Sequence, residues 1–153
     1  MSVSDFDIYL NGDKIKRKQL DVEVVRKKTV EYLMKLNGIA LALTANEIQN
    51  ENFEDSIRSK VKAGFNACCS GDVIYVLKPN WLLDFPKGTT HGSPYSYDTH
   101  VPLLWWGYEV KPGSSNDVVS ITQIAPTVCT LLKIPPPAGC ISPPVVIGGK
   151  ASK

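Results

Sequence analysis

Long hydrophobic runs are missing from this sequence of 153 residues, and no apolar stretch approaches the roughly 18 to 20 residues that cross a bilayer. The first twenty residues also lack the apolar core of a secretory signal. No charge of one sign dominates, because 17 basic residues stand against 15 acidic ones and leave a net charge of +2. A field this weak favours neither nucleic acid nor a membrane surface as a partner. We therefore expect an ordinary globular chain that binds neither.

Cysteine is scarce, and its four copies form no CxxC pair, which argues against a structural zinc site of the ribbon or finger type. Cys129 and Cys140 flank a proline-rich turn. They are either bridged, in an oxidising compartment, or two buried thiols that act as small hydrophobic residues. The adjacent pair Cys68 and Cys69 is not expected to bond to itself, given the geometry that a disulfide requires.

Motifs for phosphate binding and nucleophilic catalysis are absent as well. The sequence has neither the GxGxxG nor the GxxxxGK pattern of phosphate-binding loops, and no GxSxG nucleophile elbow. Its Ser, His, Asp and Cys combinations are those that any chain of this size contains. We therefore expect no catalytic residue within these 153 residues.

Hydrophobic periodicity predicts three helices. Asp21 is a suitable N-cap for a helix over 22–36, which an Asn-Gly pair at 37–38 would end. Two further helices are predicted over 53–64 and 123–132. The basic run KIKRK that starts at Lys14 is expected to be a solvated turn rather than a binding patch.

Short apolar segments between these helices predict strands in "DFDIYLNG", "GIALALTA", "DVIYVL" (72–77), "VPLLWWG" and "DVVS". The first should end in a turn at Asn11-Gly12, and the run over 72–77 should be covered on both faces. Alternating strands and helices predict an α/β fold, a mixed β-sheet with flanking helices. We expect 1–153 to be a single domain or a fragment of one, with 134–153 as an extended, proline-rich tail.

Both histidines lie in one segment, "KGTTHGSPYSYDTHVPLLWWG", within a loop of more than 20 residues between Pro79 and Val101. A loop this long is usually functional or disordered, and its aromatic residues favour function. Glycines let the backbone fold tightly around His91, and Thr89 and Thr90 place hydroxyls beside it. His91 is thus either a metal ligand or a structural residue hydrogen-bonded to a carbonyl. For the second histidine, His100, side-chain packing explains the position as well as a functional role would.

The stretch "GTTHGSPYSYDTHVPLLWWG" resembles the late metal-ligand loop of the alkaline phosphatase superfamily, in the branch near nucleotide pyrophosphatases and phosphodiesterases. Two further stretches agree with this resemblance. "AGFNACCSGDVIYVLKPNW" is similar to the segment before that loop, and "ITQIAPTVCTLLKIPPPAGC" is similar to the Ile-Ala-Pro-Thr helix that these phosphatases share with sulfatases. The resemblance covers about 53–140 and implies the C-terminal part of an alkaline-phosphatase-like fold.

The resemblance also implies a site with two zinc ions, in which His91 matches the late histidine ligand. No residue here matches the nucleophile, the Asp ligands or the earlier Asp-His pair of the family. The complete parent enzyme would bind two zinc ions and hydrolyse a phosphate ester, whereas this piece alone would be inactive and would bind none tightly. The residues expected to support the loop around His91 are Thr89, Thr90, Gly92, Tyr97, Asp98 and His100.

On this interpretation the chain is the C-terminal portion of a zinc-dependent phosphatase or phosphodiesterase. Its partner is the remaining N-terminal part of the catalytic domain, and its location is periplasmic or secreted. Two alternatives stay open: a fragment of a sulfatase-like hydrolase, and a non-catalytic α/β binding or scaffold domain that retains the fold.

Overall fold

The computed structural model describes residues 1–4, 6–83, 91–107 and 110–147. The chain divides into two units, Met1–Val101 and Pro102–Lys153. Within the described ranges, no helix has both the length and the apolar character needed to span a membrane.

A four-stranded sheet forms the centre of the first unit. Its spatial order is β1-β2-β4-β3, and every described pairing is antiparallel. β4 is an inner strand: Val73 is fully buried and Val76, on the opposite face, is 4% exposed. The predicted strand over 72–77, with cover on both faces, is therefore confirmed. The strands are β1 (Ser2–Ser4), β2 (Asp7–Tyr9), β3 (Ile39–Thr44) and β4 (Val73–Leu77).

Helix α2 begins where the sequence predicts. The carboxylate of Asp21 accepts hydrogen bonds from the backbone N–H groups of Glu23 and Val24, at 2.7 and 3.2 Å. The helix ends at Leu33 rather than at 36. Beyond its C-cap residue, backbone N–H groups donate to carbonyls three residues back, as in a 3-10 turn, and not four residues back. The helices of this unit are α1 (Gly12–Arg17), α2 (Val22–Leu33), α3 (Ala45–Asn50), α4 (Ser56–Gly64) and α5 (Ser96–Thr99). The predicted helix over 53–64 is thus confirmed over 56–64.

One face of the sheet and helix α2 enclose the core. Its buried members share this layer and are Ile8, Leu33, Ala42, Val73 and Tyr75. The ring of Phe6 meets the ring of Tyr75 edge-on, with 5.8 Å between centroids. The helix thus packs on one face of the sheet, as in an α/β fold. The C-terminal end of β4 contacts the segment that carries His91.

An ion pair also joins α2 to the sheet. The guanidinium of Arg26 donates to one oxygen of Asp72, just before β4, from Nη2 at 2.6 Å and Nε at 3.0 Å. The other oxygen of Asp72 accepts from the backbone N–H of Leu10 at 2.8 Å. Both charged side chains are about three-quarters buried, at 24% and 23% exposure. One carboxylate therefore ties a helix and two strands together.

Two local expectations in this unit are wrong. Asn11-Gly12 does not make a turn, because the side chain of Asn11 accepts from the N–H of Lys14 at 2.8 Å and caps α1. The basic run from Lys14 therefore lies largely on a helix, with its charged side chains exposed.

Helix α3 is not among the predicted helices; the capping box of Thr44 and Glu47 starts it directly after β3.

The second unit contains a 3-10 turn over Ile121–Gln123 and helix α6 over Ile124–Leu132, which confirms the predicted helix over 123–132. The strands predicted in "VPLLWWG" and "DVVS" are wrong, since the described residues of both segments have no pairing partner. Leu104, Trp106 and Val118 are 86%, 98% and 95% exposed. The apolar character of these segments therefore led to a wrong strand prediction.

After α6, residues 134–147 contain neither helix nor strand. The buried hydroxyl of Thr127 accepts from the N–H of Val145 at 2.7 Å, which fastens this segment to the helix. All four cysteines are free thiols, with Cys129 buried, Cys140 half-buried and the other two exposed.

Candidate functional site

His91 lines a groove of about 840 Å³ in the first unit. Residues of β4, helix α4 and the segment 91–99 line this groove. The side chain of His91 is solvent-exposed. Thr89 and Thr90, predicted to support the same loop, lie outside the described residues.

Gly92 follows His91 in a backbone conformation that favours glycine, with a φ of 106°. A Cβ added there would stand 3.6 Å from the ring of Phe6, an ordinary van der Waals distance. Backbone conformation rather than space is therefore what requires glycine at this position.

Asp98 closes the segment on itself. Its carboxylate accepts hydrogen bonds from both the hydroxyl and the backbone N–H of Ser93. These two hydrogen bonds lower the pKa of Asp98 from its ordinary value; desolvation opposes the shift, and the electrostatic effect of His91 adds to it. Asp98 is therefore held as a carboxylate near His91.

Two tyrosines fasten the segment to the end of the sheet. Their rings stack with 5.6 Å between centroids and 23° between planes. The hydroxyl of Tyr95 donates to the carbonyl oxygen of Leu77, the last residue of β4, at 2.8 Å. The hydroxyl of Tyr97 accepts from the backbone N–H of Asn80 at 3.3 Å. Burial, followed by the proximity of Tyr97, raises the pKa of Tyr95.

Helix α4 supports the same segment from the side. The ammonium group of Lys60 donates to the carbonyl of Pro94 at 3.1 Å and to the hydroxyl of Thr99 at 2.9 Å. His100 follows α5; its backbone N–H donates to the carbonyl of Ser96 at 2.8 Å, and its side chain is exposed. The sequence patterns did not predict the contacts made by Lys60, Ser93 and Tyr95.

A complete metal site is not present among the residues that the structure describes. Nowhere in those ranges do three His, Cys, Asp or Glu side chains come together in a group that could hold a metal ion. A catalytic zinc ion usually takes three protein ligands. His91 and the neighbouring Asp98 can therefore fit only part of a zinc site.

Comparison with known proteins relates the chain to phosphatases. No family model matches it. It is 35% identical to alkaline phosphatase PafA of Elizabethkingia meningoseptica, over 94% of this chain and 27% of that protein. It is 34% identical to alkaline phosphatase PhoV of Synechococcus elongatus, over 88% of this chain and 24% of that protein. A protein of Myroides odoratus named calcium-transporting ATPase is 33% identical over 94% of this chain and 27% of its own length.

The solved structures agree with the sequence relatives. The crystal structure of wild-type alkaline phosphatase PafA aligns with 94% of this chain and 28% of its own, at a TM-score of 0.84 and 36% identity. The chain thus spans about a quarter of the length of the proteins that it matches. Because sequence and fold both align over nearly its whole length, the chain belongs to the alkaline phosphatase superfamily and corresponds to a C-terminal portion of that fold.

Proposed function

We propose that this chain is part of a zinc-dependent phosphatase or phosphodiesterase that hydrolyses phosphate esters, and that His91 supplies one zinc ligand. The observation that carries the proposal is the His91 segment itself. An exposed imidazole stands on a segment fastened to the end of an inner strand, in a chain of the alkaline phosphatase superfamily.

Exposure of His91 favours a ligand over a structural histidine. A structural histidine is expected to be buried, whereas this side chain is exposed and lines the groove. A metal-bound histidine commonly donates its other ring N–H to a carboxylate. Asp98, whose pKa His91 helps to lower, is a carboxylate suited to that part.

The other support for the site comes from residues that hold the segment still. Gly92 permits its backbone conformation, and Ser93 joins it to Asp98. In the same proposal Tyr97 braces the loop through Asn80, and Thr89, Thr90 and His100 contribute support around it. These residues bind, orient and restrain; none of them is proposed to react with substrate.

Zinc, when bound, would polarise the phosphoryl oxygens and lower the pKa of an attacking hydroxyl. His91 would be the ligand that this chain supplies, and the resemblance implies that the nucleophile and the remaining ligands come from the rest of the catalytic domain. We propose that the parent enzyme binds two zinc ions and acts in the periplasm or outside the cell. By itself the chain would be inactive.

The full-length enzyme that carries this segment provides the test, with the second histidine as a matched control. His91→Ala should remove about one zinc ion of two, measured by inductively coupled plasma mass spectrometry. Turnover of an aryl phosphate should fall at least about 100-fold, because loss of a direct ligand exceeds the 10- to 100-fold cost of losing a supporting residue. His100→Ala should keep both ions and lose less activity than His91→Ala, because it removes a supporting side chain and not a ligand. Full zinc content in His91→Ala would overturn the assignment.

A further inference from the structure

Tyr95 makes the hydrogen bond that joins the His91 segment to the sheet. Its hydroxyl donates to the carbonyl of Leu77 across 18 positions of sequence, in a half-buried environment. That carbonyl terminates β4, whose fully buried Val73 and nearly buried Val76 make it a rigid part of the first unit. The segment is thereby tied to the core rather than to another loop.

The ring of Tyr95 is itself held in place. It stacks on Tyr97, whose hydroxyl accepts from the N–H of Asn80, three residues after the end of β4. The two stacked rings are therefore held by two hydrogen bonds, one to Leu77 and one to Asn80. Two hydrogen bonds restrain the rotation of the stacked rings better than one would.

The connection from these rings to His91 is short, and contacts hold two of its three residues. Only Gly92, Ser93 and Pro94 lie between His91 and Tyr95. The carboxylate of Asp98 holds Ser93, and the ring of Pro94 fixes its own φ while Lys60 binds its carbonyl. A shift at Tyr95 should therefore be transmitted to His91 rather than absorbed in between.

We propose that Tyr95 is a positioning residue, which sets the place and orientation of the His91 imidazole by anchoring its segment to the carbonyl of Leu77. This inference rests on the proposed role of His91 as a zinc ligand. Metal ligands must be held within about half an ångström of the productive geometry, so an anchor of this kind has a direct use.

The hydroxyl of Tyr95 is held in its neutral, donating form. Burial raises the pKa of Tyr95 above that of an ordinary tyrosine. Phenylalanine would preserve the stacked ring and lose only this donor.

The first test uses the 153-residue chain and nuclear magnetic resonance, with the two histidines as internal reporters. Tyr95→Phe should shift the ring signals of His91 and leave those of His100 in place. Amide exchange over 91–98 should rise about fivefold or more, as expected for loss of one hydrogen bond, while amides of β4 keep their rates. Tyr97→Phe keeps the donor at Tyr95 and should change the His91 signals less.

The second test uses the full-length enzyme. Tyr95→Phe should lower kcat and zinc retention with little change in KM, and less severely than His91→Ala. Unchanged His91 signals and exchange rates in Tyr95→Phe would overturn the anchor, even if His91→Ala loses zinc. If Tyr95→Phe loosens the segment but His91→Ala keeps its full zinc, the anchor stands and the zinc role of His91 falls.

Discussion

Gly92 is the residue at which the backbone of the candidate site is most specific. Its φ of 106° lies in a region that side chains with a Cβ rarely adopt, although the space beside it is open. The next residue, Ser93, is hydrogen-bonded to Asp98, so the chain folds back on itself directly after this glycine.

Substitution of this glycine should strain the loop without a steric clash. Gly92→Ala should destabilise the segment by about 1 to 3 kcal/mol, the usual cost of an unfavourable backbone conformation. Hydrogen exchange over 92–98 measures this as faster exchange. Gly12→Ala is the control, because its Cβ would meet nothing within 4 Å and its φ is not positive. Equal exchange in both variants would contradict this account of Gly92.

Sequence patterns predicted only part of the candidate site. The loop, its glycine and a candidate histidine could be recognised locally, and the resemblance added Tyr97 and Asp98. Tyr95 and Lys60 were missed because their contacts span 18 and 34 or more positions, to Leu77 and to the far side of the loop. Partners so distant follow from the packed fold and not from spacing.

At the level of elements, strong local signals were reliable. The cap at Asp21 and the apolar run in β4 led to correct predictions because the physical causes, a capped helix end and burial on both faces, are written in adjacent residues. The predicted strand in "VPLLWWG" failed because a strand needs a partner, and none pairs with its described residues. Val101, Leu104 and Trp106 are exposed instead.

The ion pair between α2 and the sheet should contribute to the stability of the first unit. Arg26→Met should leave Asp72 without its cation in a mostly buried site, and should lower the free energy of unfolding by about 1 to 3 kcal/mol. The control is Arg58→Met, whose pair with Asp55 is 46% and 48% exposed and should contribute less than about 1 kcal/mol. Urea denaturation of both variants compares them, and equal midpoints would contradict the role given to Arg26.

For the whole chain, the family follows from comparison with known proteins. The chain aligns over 94% of its length with an alkaline phosphatase structure, yet covers only 28% of that structure. Large apolar side chains in the second unit are exposed, with Trp106 at 98%, Val118 at 95% and Ile121 at 82%. Such exposure is typical of a surface that another part of a protein covers. The three motifs quoted above predicted membership of the alkaline phosphatase superfamily. They could be recognised because the residues of each motif are consecutive in sequence.

We propose that this chain holds one zinc ligand of a phosphatase site and cannot act alone. The most direct test of this proposal is to titrate the purified 153-residue chain with zinc by calorimetry and to assay it on an aryl phosphate with zinc present. We expect no saturable binding at micromolar zinc and no turnover above that of buffer, because a catalytic site needs about three ligands and an activated nucleophile. Tight stoichiometric zinc binding, or turnover that disappears in His91→Ala, would contradict the claim.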